Sequence, residues 1–207
     1  MRPLAQIASL LAPPRCAACG APCDAVATFC RECEQELGEA RPLVVPGPPG
    51  VDLAVAAAAF DGIARRIVHG IKYGRRLTLA RVASAAMLDA LPAGENPESV
   101  VPVPAGPWRW RWRGYDPAEE LAIAVSERSG LALRSCLRRS GGRPQVGRRR
   151  SQRLADPPRV WVAEPVPEVA LLVDDVWTTG ATLSSCAWAL REAGCGRVVA
   201  LTLARAV

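Results

Sequence analysis

The chain has 207 residues, enough for one α/β domain of ordinary size and a small appendage. Half of the residues are hydrophobic, which excludes a chain that is disordered throughout, and no apolar stretch is long enough to span a bilayer as a helix. The formal net charge is +6 and the pI is near 9.1, so anionic partners such as pyrophosphate or nucleic acid are favoured.

The first fourteen residues, MRPLAQIASLLAPP, contain a short apolar core. A single arginine precedes this core and Gln6 interrupts it, which is a poor pattern for a signal peptide. We therefore expect an amphipathic helix that contacts its own domain, a partner or a membrane surface.

Five of the eight cysteines lie between Cys16 and Cys33. Two C-x-x-C pairs, Cys16 with Cys19 and Cys30 with Cys33, each place two thiolates on a tight turn. Four such thiolates suit tetrahedral Zn²⁺, and a closed set of four predicts a structural rather than a catalytic metal. In a secreted protein the same cysteines would form disulfides, and in a redox enzyme one pair would be catalytic. The fifth cysteine, Cys23, belongs to neither pair.

A proline-rich stretch comes next, with three prolines and two glycines among residues 46–50. This composition is typical of a semi-rigid linker. We therefore expect an N-terminal helix and zinc ribbon at residues 1–40, a linker at 41–50 and the main domain at 51–207. Apolar periodicity predicts a strand at Asp52–Phe60, then helices at Ile63–Tyr73 and Leu77–Leu91.

Aromatic and basic residues alternate after the next predicted strand, Ser99–Pro104. The alternating residues are Trp108, Arg109, Trp110, Arg111, Trp112 and Arg113, followed by Gly114. Guanidinium groups suit phosphate oxygens, and three indoles on one face could stack exposed bases. The other interpretation is an amphipathic edge strand whose tryptophans pack inward. A helix is predicted over Asp116–Ser129, with Asp116 as its N-cap.

An arginine-rich segment follows a third predicted strand, Leu131–Cys136. Seven arginines and no acid lie between Leu137 and Ala155, and three of these arginines are consecutive: Arg148, Arg149 and Arg150. The positive charges of these arginines repel one another until an anion such as pyrophosphate or nucleic acid binds.

The stretch Val169–Leu183 reads VALLVDDVWTTGATL. Its apolar start predicts a buried parallel strand that ends in two acids, Asp174 and Asp175. A tight turn and a helix N-terminus follow, formed by Thr178, Thr179, Gly180, Ala181 and Thr182. Unpaired N–H groups and the helix dipole there favour a phosphate monoester, while the acids could accept bonds from sugar hydroxyls or help hold hydrated Mg²⁺. The pattern predicts a phosphorylated sugar as ligand; an ordinary capped helix is the alternative.

The last predicted elements are the helix to Ala193, Gly194 as its C-cap, and a strand at Val198–Leu203. The alternation of strands and helices predicts a doubly wound, mainly parallel α/β sheet that binds its ligand at the carboxyl ends of the strands. The remaining cysteines, Cys136, Cys186 and Cys195, are predicted to be small buried residues.

The segment DDVWTTGAT resembles the phosphoribosyl diphosphate (PRPP) signature of type I phosphoribosyltransferases, and the whole chain resembles the ComF family. This resemblance implies a type I phosphoribosyltransferase fold with an N-terminal zinc ribbon. It implies that Asp174 and Asp175 are the catalytic pair at the ribose of Mg²⁺-bound PRPP and that residues 178–182 hold its 5′-phosphate.

The same resemblance implies further PRPP contacts from a Lys-Tyr-Gly-Arg block and from the loop after the VPVP strand: Lys72, Tyr73, Arg109, Arg113 and Gly114. For Lys72 and Tyr73, a solvated helix C-terminus is the alternative. The sequence departs from the family at one place, since relatives commonly carry Arg-x-x-Asn where this chain has Arg153 and Asp156.

The ComF resemblance also implies a role in DNA uptake during natural transformation, with single-stranded DNA handled at the cytoplasmic face of the inner membrane beside the uptake machinery. The nucleic-acid candidates are Trp108, Trp110, Trp112, Arg148, Arg149 and Arg150. Two alternatives stay open: an active phosphoribosyltransferase in nucleotide or cofactor salvage, and a PRPP-sensing regulator without catalysis. The resemblance fixes neither turnover, nor an acceptor base, nor the oligomeric state.

Overall fold

A computed structural model of the protein describes residues 14–24, 26–74, 76–106, 114–140 and 159–206. Within these ranges the helices are α1 (Arg31–Glu39), α2 (Gly62–Gly74), α3 (Thr78–Asp89), α4 (Pro117–Ser129) and α5 (Ala181–Glu192). The strands there are β1 (Leu43–Pro46), β2 (Leu53–Ala59), β3 (Ser99–Pro102), β4 (Ala132–Leu133), β5 (Leu137–Arg139), β6 (Val160–Val162), β7 (Val169–Trp177) and β8 (Arg197–Arg205). No helix in these ranges is long and apolar enough to cross a bilayer.

Six strands form one sheet in the order β1-β2-β8-β7-β3-β4. Only the β1–β2 pair is antiparallel among these strands, while β5 and β6 form a separate antiparallel pair. Strand β7 is buried on both faces: Leu171 and Val173 enter one core, and Ala170 and Leu172 enter the other. Burial on both faces is typical of a central parallel strand and explains the unbroken apolar run in the sequence.

Helices cover both faces of this sheet. The first core joins α2, α3 and α4 through residues such as Ile67, Met87 and Leu121. The second core lies under α5, with Leu183 and Leu190. The prediction of a mixed α/β fold with a mainly parallel, doubly wound sheet is therefore confirmed.

The direction of winding changes between β3 and β7. From β3 the chain continues through α4 to β4, towards one edge of the sheet, whereas from β7 it continues through α5 to β8, towards the other edge. The connections that leave these two neighbouring strands lie on opposite faces, so a crevice opens at their carboxyl ends. Ligands of doubly wound proteins bind in such a crevice.

The structure differs from the predicted elements in several places. Part of the stretch predicted as a linker forms β1, an edge strand where Pro46 is tolerated because an edge requires fewer ladder bonds. Strand β7 does not end at the acids but continues to Trp177. The sequence also did not predict α1 or the β5–β6 pair, whose short strands carry little periodicity of their own.

The cysteine-bearing segment, residues 14–39, packs directly on the first core. Cys16, Phe29 and Cys33 are buried in the same cluster as Ile67 and Ile71 of α2. The segment therefore shares apolar contacts with the sheet domain.

Candidate functional site

The two C-x-x-C pairs come together in one cluster, the cysteine cluster, formed by Cys16, Cys19, Cys30 and Cys33. Their four sulfur atoms all lie within 4.8 Å of one another, and the Cys19 and Cys30 sulfurs are 3.6 Å apart. Four sulfurs bound tetrahedrally to zinc at about 2.3 Å are separated by about 3.8 Å. The four cysteines are thus placed to bind a metal ion, as predicted for a structural zinc.

The local environment of the cysteine cluster also fits a metal. Burial disfavours the Cys16 thiolate, but hydrogen bonds from the backbone of Cys19, Cys30 and Ala18 outweigh burial and lower its pKa to about 6. Burial raises the pKa of Cys33. Four thiolates this close would repel one another, whereas a bound divalent cation neutralises their charge. Cys23 lies outside the cluster, 3.7 Å from the carbonyl oxygen of Ala27.

A second feature is a cleft of about 230 Å³ at the carboxyl ends of β3 and β7, which we call the acidic cleft. Its lining combines charged, hydroxyl and aromatic side chains: Phe60, Lys72, Val103, Pro104, Ala105, Tyr115, Asp116, Pro117, Ala118, Arg139, Asp174, Asp175, Val176, Thr178, Thr179, Ala181 and Thr182. The cleft therefore lies at the crevice that the winding of the sheet creates.

One wall of the acidic cleft is the turn between β7 and α5. Gly180 is the N-cap of α5 with φ +79°, and no side chain caps this helix. Across the described ranges, the backbone N–H groups of Thr179, Gly180, Thr182 and Leu183 donate no hydrogen bond, and that of Ala181 meets only Thr179 Oγ1 at 3.4 Å. This turn therefore presents unpaired donors at the positive end of a helix dipole, an arrangement that suits an anion.

Two acids form the floor of the acidic cleft. Lys72 Nζ lies 3.0 Å from Asp175 Oδ1, and the Asp175 backbone N–H donates to Asp174 Oδ1 at 2.8 Å. Burial, reinforced by the charge of Asp175, raises the pKa of Asp174 to about 8, although the Asp175 N–H and Lys72 act in the opposite direction. At neutral pH Asp174 is therefore mostly protonated, and Lys72 pairs with Asp175.

Lys72 is the only lysine in the sequence, which otherwise uses arginine for its basic side chains. It lies in the last turn of α2 and is mostly buried, with 21% of its side chain exposed. Tyr73 is 63% exposed, and its ring contacts His69 edge-on at 5.5 Å. Of this predicted pair, only Lys72 lines the acidic cleft.

Among the charged residues of the acidic cleft, sequence reasoning assigned no ligand role to Asp116 and included Arg139 only in the arginine-rich segment expected to bind an anion. Asp116 accepts hydrogen bonds from the backbone N–H groups of Ala105 and Ala118, at 2.7 and 3.0 Å, and burial raises its pKa to about 6 against the effect of those two bonds. Arg139 places its guanidinium beside Gly106. Asp116 was predicted only as a helix cap, a role that the structure confirms, and nothing near Arg139 in the sequence signals a contact with a loop more than thirty residues earlier.

Several predicted site residues lie outside the described residues: Trp108, Arg109, Trp110, Trp112, Arg113, Arg148, Arg149 and Arg150. The predicted N-terminal helix lies there as well. Gly114 is described and has φ +73°, but it does not line the acidic cleft. The other three cysteines, Cys136, Cys186 and Cys195, are buried as predicted.

The stability of the protein is expected to fall as pH rises from about 6 to 8. The folded protein binds a proton at Asp174 up to about pH 8, whereas the unfolded chain releases it near pH 4, so the stabilisation is complete at low pH and is lost as pH rises through 8. The slope contributed is at most about 1.4 kcal/mol per pH unit. Urea unfolding at pH 6, 7 and 8 measures this pH dependence of the free energy of unfolding in the zinc-loaded wild type and in Asp174→Asn. Equal slopes in the two proteins would contradict the raised pKa of Asp174.

Replacing Gly180 by alanine is expected to destabilise the protein by about 2–3 kcal/mol. A Cβ there would lie 2.9 Å from Pro48 Cβ and 3.0 Å from Trp177 Nε1, in addition to the strain of its positive φ. Gly130→Ala is the matched control, because Gly130 has φ +75° and open space around it. This variant therefore measures the cost of the backbone strain alone, which is about 1 kcal/mol. Urea unfolding measures both variants, and equal losses would show that Pro48 does not restrain the turn.

These features define a mixed α/β protein with a mainly parallel sheet, an acidic cleft at the switch point of that sheet and an N-terminal cysteine cluster. The sequence is 32% identical over 107 residues to "Competence protein ComFC" of Streptococcus pneumoniae (strain ATCC BAA-255 / R6). The similarity covers 51% of this chain and 47% of that protein, so the chain matches about half the length of its curated relative. No family model matches the sequence. The predicted resemblance to the ComF family is thus confirmed over about half of the chain.

Proposed function

We infer that this is a competence-related, ComF-like protein whose acidic cleft binds Mg²⁺-bound PRPP and which binds single-stranded DNA during DNA uptake. The main support for the proposal is that two acids and a turn with unpaired backbone N–H groups line the same cleft. The similarity to ComFC supports the competence role. The proposal includes a type I phosphoribosyltransferase fold and the division into residues 1–40, 41–50 and 51–207.

The proposed pose assigns each part of PRPP to one wall of the acidic cleft. The 5′-phosphate accepts bonds from the N–H groups and hydroxyls of residues 178–182, and the ribose hydroxyls bind Asp174 and Asp175. The diphosphate extends towards Lys72 and Arg139, which lie on the lining of the same cleft. Arg109, Arg113 and Gly114 are further proposed contacts for the diphosphate, and Tyr73 for the sugar or a stacked base.

The electrostatics of the acidic cleft support an anionic ligand in spite of the acids. The pKa of Asp174 is raised to about 8, so this residue is protonated at neutral pH and can donate a hydrogen bond to a sugar oxygen. Lys72 balances Asp175 and is close enough to contact a diphosphate oxygen when a ligand displaces it. Asp116 is already bonded to two backbone N–H groups, which spread its charge. A hydrated Mg²⁺, bound with the diphosphate, supplies additional positive charge.

An active phosphoribosyltransferase in nucleotide or cofactor salvage is the second candidate. The rings of Phe60 and Tyr115 line the acidic cleft, where a flat acceptor base could stack on them. In that reading, diphosphate leaves from an oxocarbenium-like ribose while Asp174 and Asp175 orient the sugar. Catalysis then comes mainly from positioning and electrostatics.

The proposal for DNA depends on residues outside the described ranges. Three tryptophans and three arginines, Trp108, Trp110, Trp112, Arg148, Arg149 and Arg150, combine rings that can stack on bases with cations that can bind phosphates. We propose that these residues bind single-stranded DNA at the cytoplasmic face of the membrane, next to the uptake machinery.

One experiment separates the candidates. Labelled single-stranded DNA is titrated with the protein at two salt concentrations, with and without Mg²⁺-bound PRPP, and diphosphate release is assayed with a panel of bases. DNA binding that weakens steeply with salt is the result expected from the first candidate. Turnover with one base would instead favour the transferase. The absence of both DNA binding and turnover would favour a PRPP-sensing regulator.

A further inference from the structure

The N-terminus of α2 is capped by a residue from a different helix. The backbone N–H of Ile63 donates to Glu36 Oε1 at 2.7 Å, and Glu36 also pairs with Arg66, one turn further along α2. Gly62 makes this approach possible, because a Cβ at that position would overlap the Glu36 carboxylate. A carboxylate at this end of a helix meets free N–H groups and the positive end of the dipole, so it fixes the start of α2.

Glu36 is in turn tied to the cysteine cluster. It belongs to α1, which begins directly after Cys30 and contains the buried Cys33 one turn earlier. Arg66 Nη2 lies 3.9 Å from Cys33 Sγ, so the same arginine contacts both the capping acid and the cluster. The position of Glu36 therefore depends on how the cysteine cluster is assembled.

The cysteine-bearing segment also contacts the chain just beyond α2. Arg76, two residues after the last residue of α2, donates from Nη1 to the carbonyl oxygen of Ala17 at 2.6 Å, and Ala17 lies between two cysteines of the cluster. The Tyr115 hydroxyl donates to the carbonyl of Ile71 in the last turn of α2. The start of α2 is thus held by Glu36 and its last turn by Tyr115, so α2 cannot slide along its axis without breaking these bonds.

Helix α2 carries Lys72 into the acidic cleft. Lys72 lies nine residues after Ile63, about 14 Å along a rigid helix. Its amine meets Asp175 at 3.0 Å, so a shift of α2 by one ångström or more would lengthen this contact beyond a good hydrogen bond. The chain of contacts runs from the cysteine cluster through Glu36 and α2 to Asp175.

We propose that Glu36 is a positioning residue for the acidic cleft: by capping α2 it sets the place of Lys72 opposite Asp175. The hydrogen bond to the Ile63 N–H, rather than the ion pair with Arg66, carries most of this effect. Glu36 and Arg66 are 42% and 37% exposed, so solvent screens the charge of their pair. A glutamine at position 36 keeps an oxygen for the Ile63 N–H and should therefore preserve the position of Lys72, whereas an alanine should not.

The test uses the zinc-loaded chain of 207 residues, in which Lys72 is the only lysine. The variants are Glu36→Ala, Glu36→Gln and the control Glu34→Ala, which removes an exposed acid from the same helix. The first measurement needs no ligand: the rate of acetylation of Lys72 relative to the α-amino group, read by mass spectrometry. We expect Glu36→Ala to raise this rate several-fold, and the other two variants to stay within about twofold of wild type.

The second measurement is the affinity for Mg²⁺-bound PRPP, and this arm alone rests on the proposed function. We expect about tenfold weaker binding in Glu36→Ala and restored binding in Glu36→Gln. If wild type binds no PRPP while Lys72 acetylation still responds to Glu36→Ala, the positioning role holds and the proposed function fails. Unchanged acetylation in a folded Glu36→Ala protein overturns the positioning role. Should that variant fail to fold, Gly62→Ala, which displaces the same carboxylate, carries the same expectations.

Discussion

Replacing Cys33 by serine is expected to abolish stoichiometric zinc binding and to lower the melting temperature by about 10 °C. Cys33 is a ligand of the cysteine cluster and is also buried in the main core beside α2, so the variant loses a metal ligand and leaves a polar group among apolar side chains. A loss of roughly 3 kcal/mol corresponds to this shift for a domain of this size. Zinc content by mass spectrometry and thermal unfolding by circular dichroism measure the two effects.

Cys23→Ser is the matched control for this variant. Cys23 lies in the same segment but outside the cysteine cluster, so its replacement should leave both zinc content and melting temperature unchanged. A chelator added to wild type should reproduce the Cys33→Ser result. Retention of one zinc per chain in Cys33→Ser would show that the four cysteines do not form the metal site.

The paired exchange of Asp174→Asn and Asp175→Asn is expected to weaken binding of Mg²⁺-bound PRPP about a hundredfold. Asp175 is proposed to accept a bond from one ribose hydroxyl as a carboxylate, and loss of such a bond costs about 1.5–3 kcal/mol. The protonated Asp174 is proposed to make a neutral bond, worth about 0.5–1.5 kcal/mol. The exchange also removes the negative charge that lies 3.0 Å from the Lys72 amine. Calorimetric titration measures the loss.

The control for the acids is Glu164→Gln, which removes an exposed carboxylate that pairs with Arg138 away from the acidic cleft. It changes the net charge of the protein without touching the proposed ligand. Its affinity for PRPP should equal that of wild type. A hundredfold loss in this control as well would mean that overall charge, rather than the two acids, governs the measured binding.

Much of the sheet was predictable because its strands are locally distinctive. The apolar run before Asp174 indicated a central strand, and the glycine and threonines after Thr178 indicated a turn into a helix, which the structure places at Ala181–Glu192. The four cluster cysteines were equally clear, since their spacing alone brings each pair onto one turn. Such patterns lie within a single element, where sequence and local structure correspond directly.

What the sequence could not predict are contacts between distant elements. The Lys72–Asp175 pair joins residues more than a hundred positions apart, and Glu36 caps a helix that begins twenty-six residues later. Asp116 could be recognised as a helix cap, but its bond to Ala105 depends on how β3 and α4 meet. Burial, reinforced by the charge of Asp175, raises the pKa of Asp174, and the sequence alone does not show how deeply this residue is buried.

The central claim is that the acidic cleft binds a sugar bearing a phosphate on one side and a diphosphate on the other. Calorimetric titration of the zinc-loaded wild type with PRPP in the presence of Mg²⁺ tests it directly, with ribose 5-phosphate and inorganic diphosphate as partial ligands. We expect one site per chain with an affinity of about micromolar for PRPP and weaker binding of either fragment. No heat of binding for PRPP, or equal affinity for PRPP and diphosphate alone, would contradict the claim.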